Sequence, residues 1–344
     1  MSFNKRLSLG TPPAGPLGFK ILIYSGNGGS NRSITGVGFQ PDIIWIKGRN
    51  STEQHYFYDS TRGASKFLHT NTTAAEGTDS TSRLKAFLSD GFKLGSDPAV
   101  NGSNNTYVAF CWKVNEGTTA TNTDGTVDSI VQVNTDLGTS IVKFTNSSPG
   151  SNARIGHGLG STPNMILLKR TDGVEDWYMY HDGMPDDTGN GTSLKQFMRP
   201  NKTNGQAEAS NLFNTVNSTV FNPSFTGATN QVIIAYCFKN VPGYSHFGSY
   251  TGNGQANQAV DVGFSPDWIL MKSTVGNDNW RMFDTVRGIN NGFLEVDNSV
   301  VEDTTGQPQM AITSTGFSFT SGGVTQGLNA NNNLVTYWAF KINE

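Results

Sequence analysis

Hydrophobic residues along this chain come in short runs of four to eight, separated by glycine, asparagine, serine and threonine. One run recurs with fixed grammar. Gly38–Arg49 reads GFQPDIIWIKGR and Gly263–Lys272 reads GFSPDWILMK, while Ser161–Arg170, STPNMILLKR, is a looser copy between them. Each copy has a proline turn, then an apolar run closed by a lysine. Proline fixes φ and lacks a donor, which suits the entry to a strand, and an unbroken apolar run of this length suits a strand buried on both faces.

The remaining pattern is of the same kind. KILIY (Lys20–Tyr24) is a strand ended by SGNG, and QHYFYDSTRG (Gln54–Gly63) is an aromatic strand closed by a turn. LKAFLSDGFKL (Leu84–Leu94) places Asp90-Gly91 between two apolar runs, a hairpin signature, with a helix over Ser82–Leu88 as the competing reading. TYVAFCWK (Thr106–Lys113) is a β-rich run without a breaker, and a polar linker, Glu116–Asp128, follows it. The same order returns as Ile141–Phe144, the turn at Pro163, DWYMYH (Asp176–His181) and QVIIAYCFK (Gln231–Lys239). It returns again as SYTGNG (Ser249–Gly254), GFSPDWILMK, NWRMFDTVRG (Asn279–Gly288), ITSTGFSF (Ile312–Phe319) and TYWAFK (Thr336–Lys341).

The offsets are regular. Gly38 to Gly263, Asp59 to Asp284, Arg62 to Arg287 and Gly91 to Gly316 are each 225 residues, and Pro41 to Pro163 and Lys47 to Lys169 are each 122. Units of this size are too long for solenoid repeats and suit sandwiches of short strands. The expected fold is all-β, three tandem β-sandwich or jelly-roll-like domains after an extended arm at 1–17. The first spans 18–115, a linker 116–128, the divergent second 129–240 and the third 244–344. Phe39, Pro41, Trp45, Pro163, Phe264, Pro266 and Trp268 are its structural landmarks. The arm, with Pro12, Pro13 and Pro16, reads as an attachment segment.

Composition sharpens this reading. Glycine is 40 of 344 residues, well above the usual roughly 7%, as turn-rich β proteins require. The net charge of −3, without a basic stripe, removes the electrostatic footprint of a nucleic-acid binder. The opening residues contain no apolar h-region of a secretory signal. The two cysteines, Cys111 and Cys237, occupy matching positions in different units and make no disulfide framework; Lys341 is read as filling that position in the third.

Little in the sequence points to chemistry. SGNGG and TGNGQ match neither phosphate-loop pattern and read as turns. Histidines 55, 69, 157, 181 and 246 show no zinc spacing, the acidic loops Asp172–Asp176 and Asp182–Asp187 lack an EF-hand ladder, and no serine nucleophile motif occurs. No catalytic residue, metal or cofactor is assigned. DSTRG (Asp59–Gly63) and DTVRG (Asp284–Gly288) have two readings: a structural turn in which the aspartate accepts backbone amides, or a ligand site built on Asp59, Arg62, Asp284 and Arg287. The second unit has His181 and Met184 in those places.

As a set, GFxPD, DxxRG, the NxxxxE segments (Asn71–Glu76; Asn298–Asp303 with Glu302), SDGF and TYVAF/TYWAF resemble a repeated domain of unknown function in tail-associated proteins of tailed bacteriophages, often marine ones. IGHGLGSTPNMILLKR and AYCFKNVPGYSHFGSYTGNG resemble its usual companion. The resemblance covers about 17–344 and carries no established chemistry. It implies a virion structural protein, assembled in the host cytoplasm. As a tail fibre or receptor-binding protein it would bind other virion proteins through its arm and host glycans through its loops. A capsid decoration protein and a glycan depolymerase are the alternatives. Homotrimerisation suits a fibre, although no heptad or triple-stranded repeat requires it.

Overall fold

The recurrent apolar run becomes a strand with both faces covered, and that one fact organises the molecule. In the computed structural model, residues 17–146, 153–186, 195–208, 212–223, 230–305, 309–321 and 327–343 are described. The arm lies almost entirely outside them, as does Asp187 of the second acidic loop. The fold is all-β and antiparallel.

Each unit pairs one large sheet with one small one. In the first, the large sheet runs in the order Phe19–Ser25, Thr106–Trp112, Ile43–Gly48, Tyr56–Asp59, Lys66–His69, Gly77–Thr78; the small one is Arg32–Thr35, Gly91–Leu94, Leu84–Leu88. The second unit repeats the large-sheet centre with Thr139–Asn146, Gln231–Phe238, Met165–Arg170 and Trp177–His181. The third does so with Ser245–Thr251, Leu334–Phe340, Trp268–Ser273 and Arg281–Asp284. Asp90-Gly91 forms the hairpin, not a helix. The short strand Arg32–Thr35 and the single turn Pro98–Asn101, capped by Asp97 on the Ala99 amide at 2.8 Å, had no hydrophobic signal to announce them. Part of the expected linker is a strand, Ala120–Asn122, which pairs with Ser129–Asn134.

The proline turn has a common cause in all three units. Gly38, Gly160 and Gly263 have φ of 85°, 66° and 83°, a left-handed region costly for other residues, so the glycine is required as much as the proline. Gly160 lies 122 residues after Gly38 and shows that the looser copy keeps the full turn.

Successive side chains of the central strands divide between two cores. Ile44, Ile46, Tyr107, Ala109 and Cys111 face the small sheet of their own unit. Ile43, Trp45, Val108, Phe110 and Trp112 face the other way, into a core shared with Leu167, Met179, Tyr236, Trp268, Trp338 and Phe340 of the other units. All six tryptophans of the chain lie in this shared core. The three units are thus sandwiches of their own, yet not independent bodies, because separation would expose the inner face of every large sheet. Where Ile43, Phe57, Trp112, Leu167, Trp338 and Phe340 meet, a cavity of only about 20 Å3 remains.

Hydrogen bonds close the units into a ring. The Glu76 amide donates to Thr171 O at 2.9 Å, the Gln206 amide to Thr274 O at 2.8 Å, and the Glu302 amide to Arg49 O at 2.8 Å. Side chains repeat the cycle: Trp177 Nε1 bonds His69 O at 2.9 Å, Trp280 Nε1 bonds Arg199 O at 3.2 Å, and His55 Nε2 bonds Glu295 O at 3.0 Å. First-to-second, second-to-third and third-to-first contacts are therefore equivalent, which gives one chain an internal pseudo-threefold axis.

One alignment needs correction. Ile43 pairs with Trp112 and Trp268 with Phe340, so the last strands match as WKVN to FKIN at an offset of 228, and the like-sounding TYVAF and TYWAF do not superpose residue for residue. The cysteine position is occupied in the third unit by Ala339, not Lys341. A slip of two residues keeps every side chain on its face, so the pattern alone could not detect it.

Candidate functional sites

The two DxxRG segments are the natural place to begin. Strand Tyr56–Asp59 ends at Asp59, whose Oδ1 accepts the Arg62 amide at 2.8 Å while Oδ2 meets Arg62 Nε at 2.5 Å. The other guanidinium nitrogens reach Glu76 Oε2 at 3.1 Å and Phe57 O at 3.2 Å. In the third unit Asp284 takes the Arg287 amide at 2.7 Å and Nε at 2.5 Å, and Arg287 reaches Glu302 at 2.9 Å and Met282 O at 3.2 Å. The structure thus brings DxxRG and the NxxxxE segment together: Glu76 and Glu302 are the far ends of the same clusters. Side-chain exposure is 2% for Arg62 and zero for Asp59, Asp284 and Arg287. Every guanidinium nitrogen is used internally, and no face is left for a ligand. Tyr236 of the second unit adds its hydroxyl to Asp59 at 2.6 Å, so the first cluster also ties two units together.

In the second unit His181 replaces the aspartate. Its Nδ1 accepts the Gly183 amide at 3.0 Å, and Nε2 bonds Tyr337 O of the third unit at 3.2 Å. Burial pushes its pKa down to about 4, against the pull of that carbonyl, so the ring is neutral.

The aspartate of the proline turn is a second device. Asp42 is fully buried and accepts the amides of Val114, Glu116 and Gly117 at 2.7, 2.9 and 2.9 Å. It fastens the exit from the last strand. Asp267 does the same for Ile342 at 2.8 Å, and Asn164 for Asn240 at 2.7 Å. The signal was present: a polar residue at one position in all three copies, directly before a buried run.

The lysines that close the motif are buried too. Lys47 bonds Gly48 O and Ser51 O at 2.8 and 2.9 Å, Lys169 bonds Glu175 O and Thr73 O at 2.6 and 3.1 Å, and Lys272 bonds Thr203 O at 2.9 Å. Burial lowers each to about 8. Cys111 and Cys237 lie in the outer cores of different units, and burial raises both thiols, Cys237 to about 12, which makes them inert at neutral pH. Among the described residues no group of three or more His, Cys, Asp or Glu is placed to hold a metal ion, and no helix is long and apolar enough to cross a membrane.

Open surface occurs instead at the junctions. A groove of about 620 Å3 between the first and second units is lined by threonines (Thr61, Thr119, Thr126, Thr145), Asp128 and Lys143, with Val127, Ile130 and Phe144 among them. A family model described as a domain of unknown function (DUF7483) matches residues 18–343. The chain belongs to this family. The match is one model across all three units, as befits a fold whose units share a core. No curated protein matches the chain.

Proposed function

We propose that this member of the DUF7483 family is a structural attachment protein of a bacteriophage particle, carried on the tail, that holds host surface glycans in the clefts between its units. The observation that carries the reading is the distribution of polar groups. The repeated charged groups, Asp59–Arg62–Glu76, Asp284–Arg287–Glu302 and the three closing lysines, are locked inside as fasteners. Among the described residues, solvent meets loops and shallow grooves of mixed polarity such as the threonine-lined one. Charges spent on structure in this way suit a rigid adhesive body. Hydroxyl side chains with one carboxylate and one ammonium suit a hydroxyl-rich ligand.

The pseudo-threefold axis favours a second placement as well. A single chain with this symmetry fits a local threefold axis, whether at the end of a trimeric fibre or on an icosahedral head, so a capsid decoration role shares the support. Labelled antibody on intact particles separates the two: tail labelling together with loss of host adsorption when purified protein competes is expected. Label confined to the head surface would overturn the tail placement. Shortening of host polysaccharide by the purified protein would overturn the non-enzymatic reading.

A further inference from the structure

The segment NVPGYSH, which joins the second unit to the third, forms one wall of a second cleft of about 620 Å3, with Asp261 and Val262 on the other side. His246 stands on its wall. Its Nδ1 lies 2.9 Å from Tyr337 Oη, and the two rings stack with centroids 5.7 Å apart. Tyr337 is itself fixed, because it is 2% exposed in the outer core and its backbone carbonyl takes the bond from His181. With Nδ1 engaged by the phenol, Nε2 is the remaining polar edge of the ring, a donor or an acceptor according to the tautomer. Burial lowers the His246 pKa although Asp261 opposes this, so the ring is neutral near pH 7. Oδ1 of Asp261 accepts the Gly263 amide at 2.9 Å, which orients the carboxylate and leaves Oδ2.

The three copies supply the control. Strand register puts Ala109 and Lys20 of the first unit, and Ala235 and Ser140 of the second, where the third has Tyr337 and His246. Thr35 occupies the position of Asp261 in the first. The sandwich is thus built twice without this trio, and packing does not demand it.

We propose that the Tyr337–His246–Asp261 cleft is a saccharide subsite, in which Asp261 accepts ring hydroxyls and His246 Nε2 hydrogen-bonds a further sugar hydroxyl. This rests on the glycan-attachment reading above. The lining contains no lysine or arginine, which disfavours anionic ligands, and it offers too few donor atoms for a metal. Most of its accessible wall is apolar, Pro242 and Val262 included, a surface suited to the C–H face of a sugar ring. Its size suits one or two sugar rings, within the usual range of about 300–1,000 Å3 for small-ligand pockets.

Saturation-transfer NMR on the full chain, against a panel of neutral hexoses, N-acetylhexosamines and their short oligomers, tests it. The wild type is expected to bind at least one sugar. Asp261→Asn and His246→Gln should each weaken that binding about tenfold, the worth of one good polar contact, while Thr35→Val leaves it unchanged. Tryptophan fluorescence reports whether each variant keeps the shared core, and Asp261 is exposed, so its variant is expected to fold. Undiminished binding in both folded variants would overturn this site and leave the glycan reading standing. A wild type that binds no sugar on the panel would overturn the glycan reading and the site with it.

Discussion

The turn that follows Tyr56–Asp59, Trp177–His181 and Arg281–Asp284 is built two ways. In the first and third units a buried aspartate, arginine and glutamate hold it; in the second, a neutral histidine accepts one amide and bonds one carbonyl. Both solutions satisfy the turn. The ionic one commits the fold to keeping every member, since removal of one leaves a buried charge without its partner. The neutral one asks less but is exposed to acid. Architecture therefore tolerates different chemistry at equivalent places, and repetition marks what the fold needs more than what the protein does.

Several measurements would break or sharpen this comparison. Arg287→Ala strands Asp284, which has no side-chain exposure, and leaves Glu302 only its pair with Arg49, so it should cost about 3–5 kcal/mol in denaturant unfolding. Arg62→Ala should cost less, because Glu76 keeps 17% exposure and can rehydrate. If either variant unfolds like the wild type while host adsorption falls, the ligand reading of DxxRG regains its place.

The second unit should respond to acid where the others do not depend on a histidine at the turn. His181 is held near a pKa of about 4, below its ordinary value of 6.5. The unfolded chain takes up the proton first, so this stability is full above pH 6.5 and is lost as pH falls to about 4, a loss of roughly 3 kcal/mol. His181→Gln should flatten that part of the stability–pH curve; an unchanged curve would refute the assignment.

The lysines are the counterpart that all three units share. Each is lowered to about 8 from 10.5, so between these values the unfolded chain holds more protons and stability rises with pH. From pH 7.5 to 9.5 each should contribute roughly 1–2 kcal/mol, and Lys272→Met should remove one share of the rise. The smallest effect is expected of Tyr236→Phe, which takes one hydroxyl from Asp59 while leaving Arg62 in place. About 1 kcal/mol by thermal melting is the expected cost.

Much of the fold was legible because strands announce themselves by local means. The runs at Ile43, Met165 and Trp268 said that both faces are buried, and the 225- and 122-residue offsets said that one unit is repeated. Gly38 and Pro41 set a turn by backbone sterics, which neighbours cannot change. Of the candidate sites, the association of Asp59 with Arg62 was readable from spacing. Their link to Glu76 was visible only as an unexplained companion motif, Asp42 only as a polar residue recurring before each buried run, and the role of His246 was not visible at all.

What the sequence by itself determined is the all-β class, the repeated unit and its turns, because these follow from side-chain periodicity and φ restrictions within a few residues. Only the tertiary structure decided what covers the second face of each large sheet, namely the other two units closing a ring around all six tryptophans. It also decided the register of the last strands and which charges become fasteners. The physical reason is that burial is read locally, whereas the identity of the covering surface depends on residues more than a hundred positions away, and a period of two is blind to a slip of two.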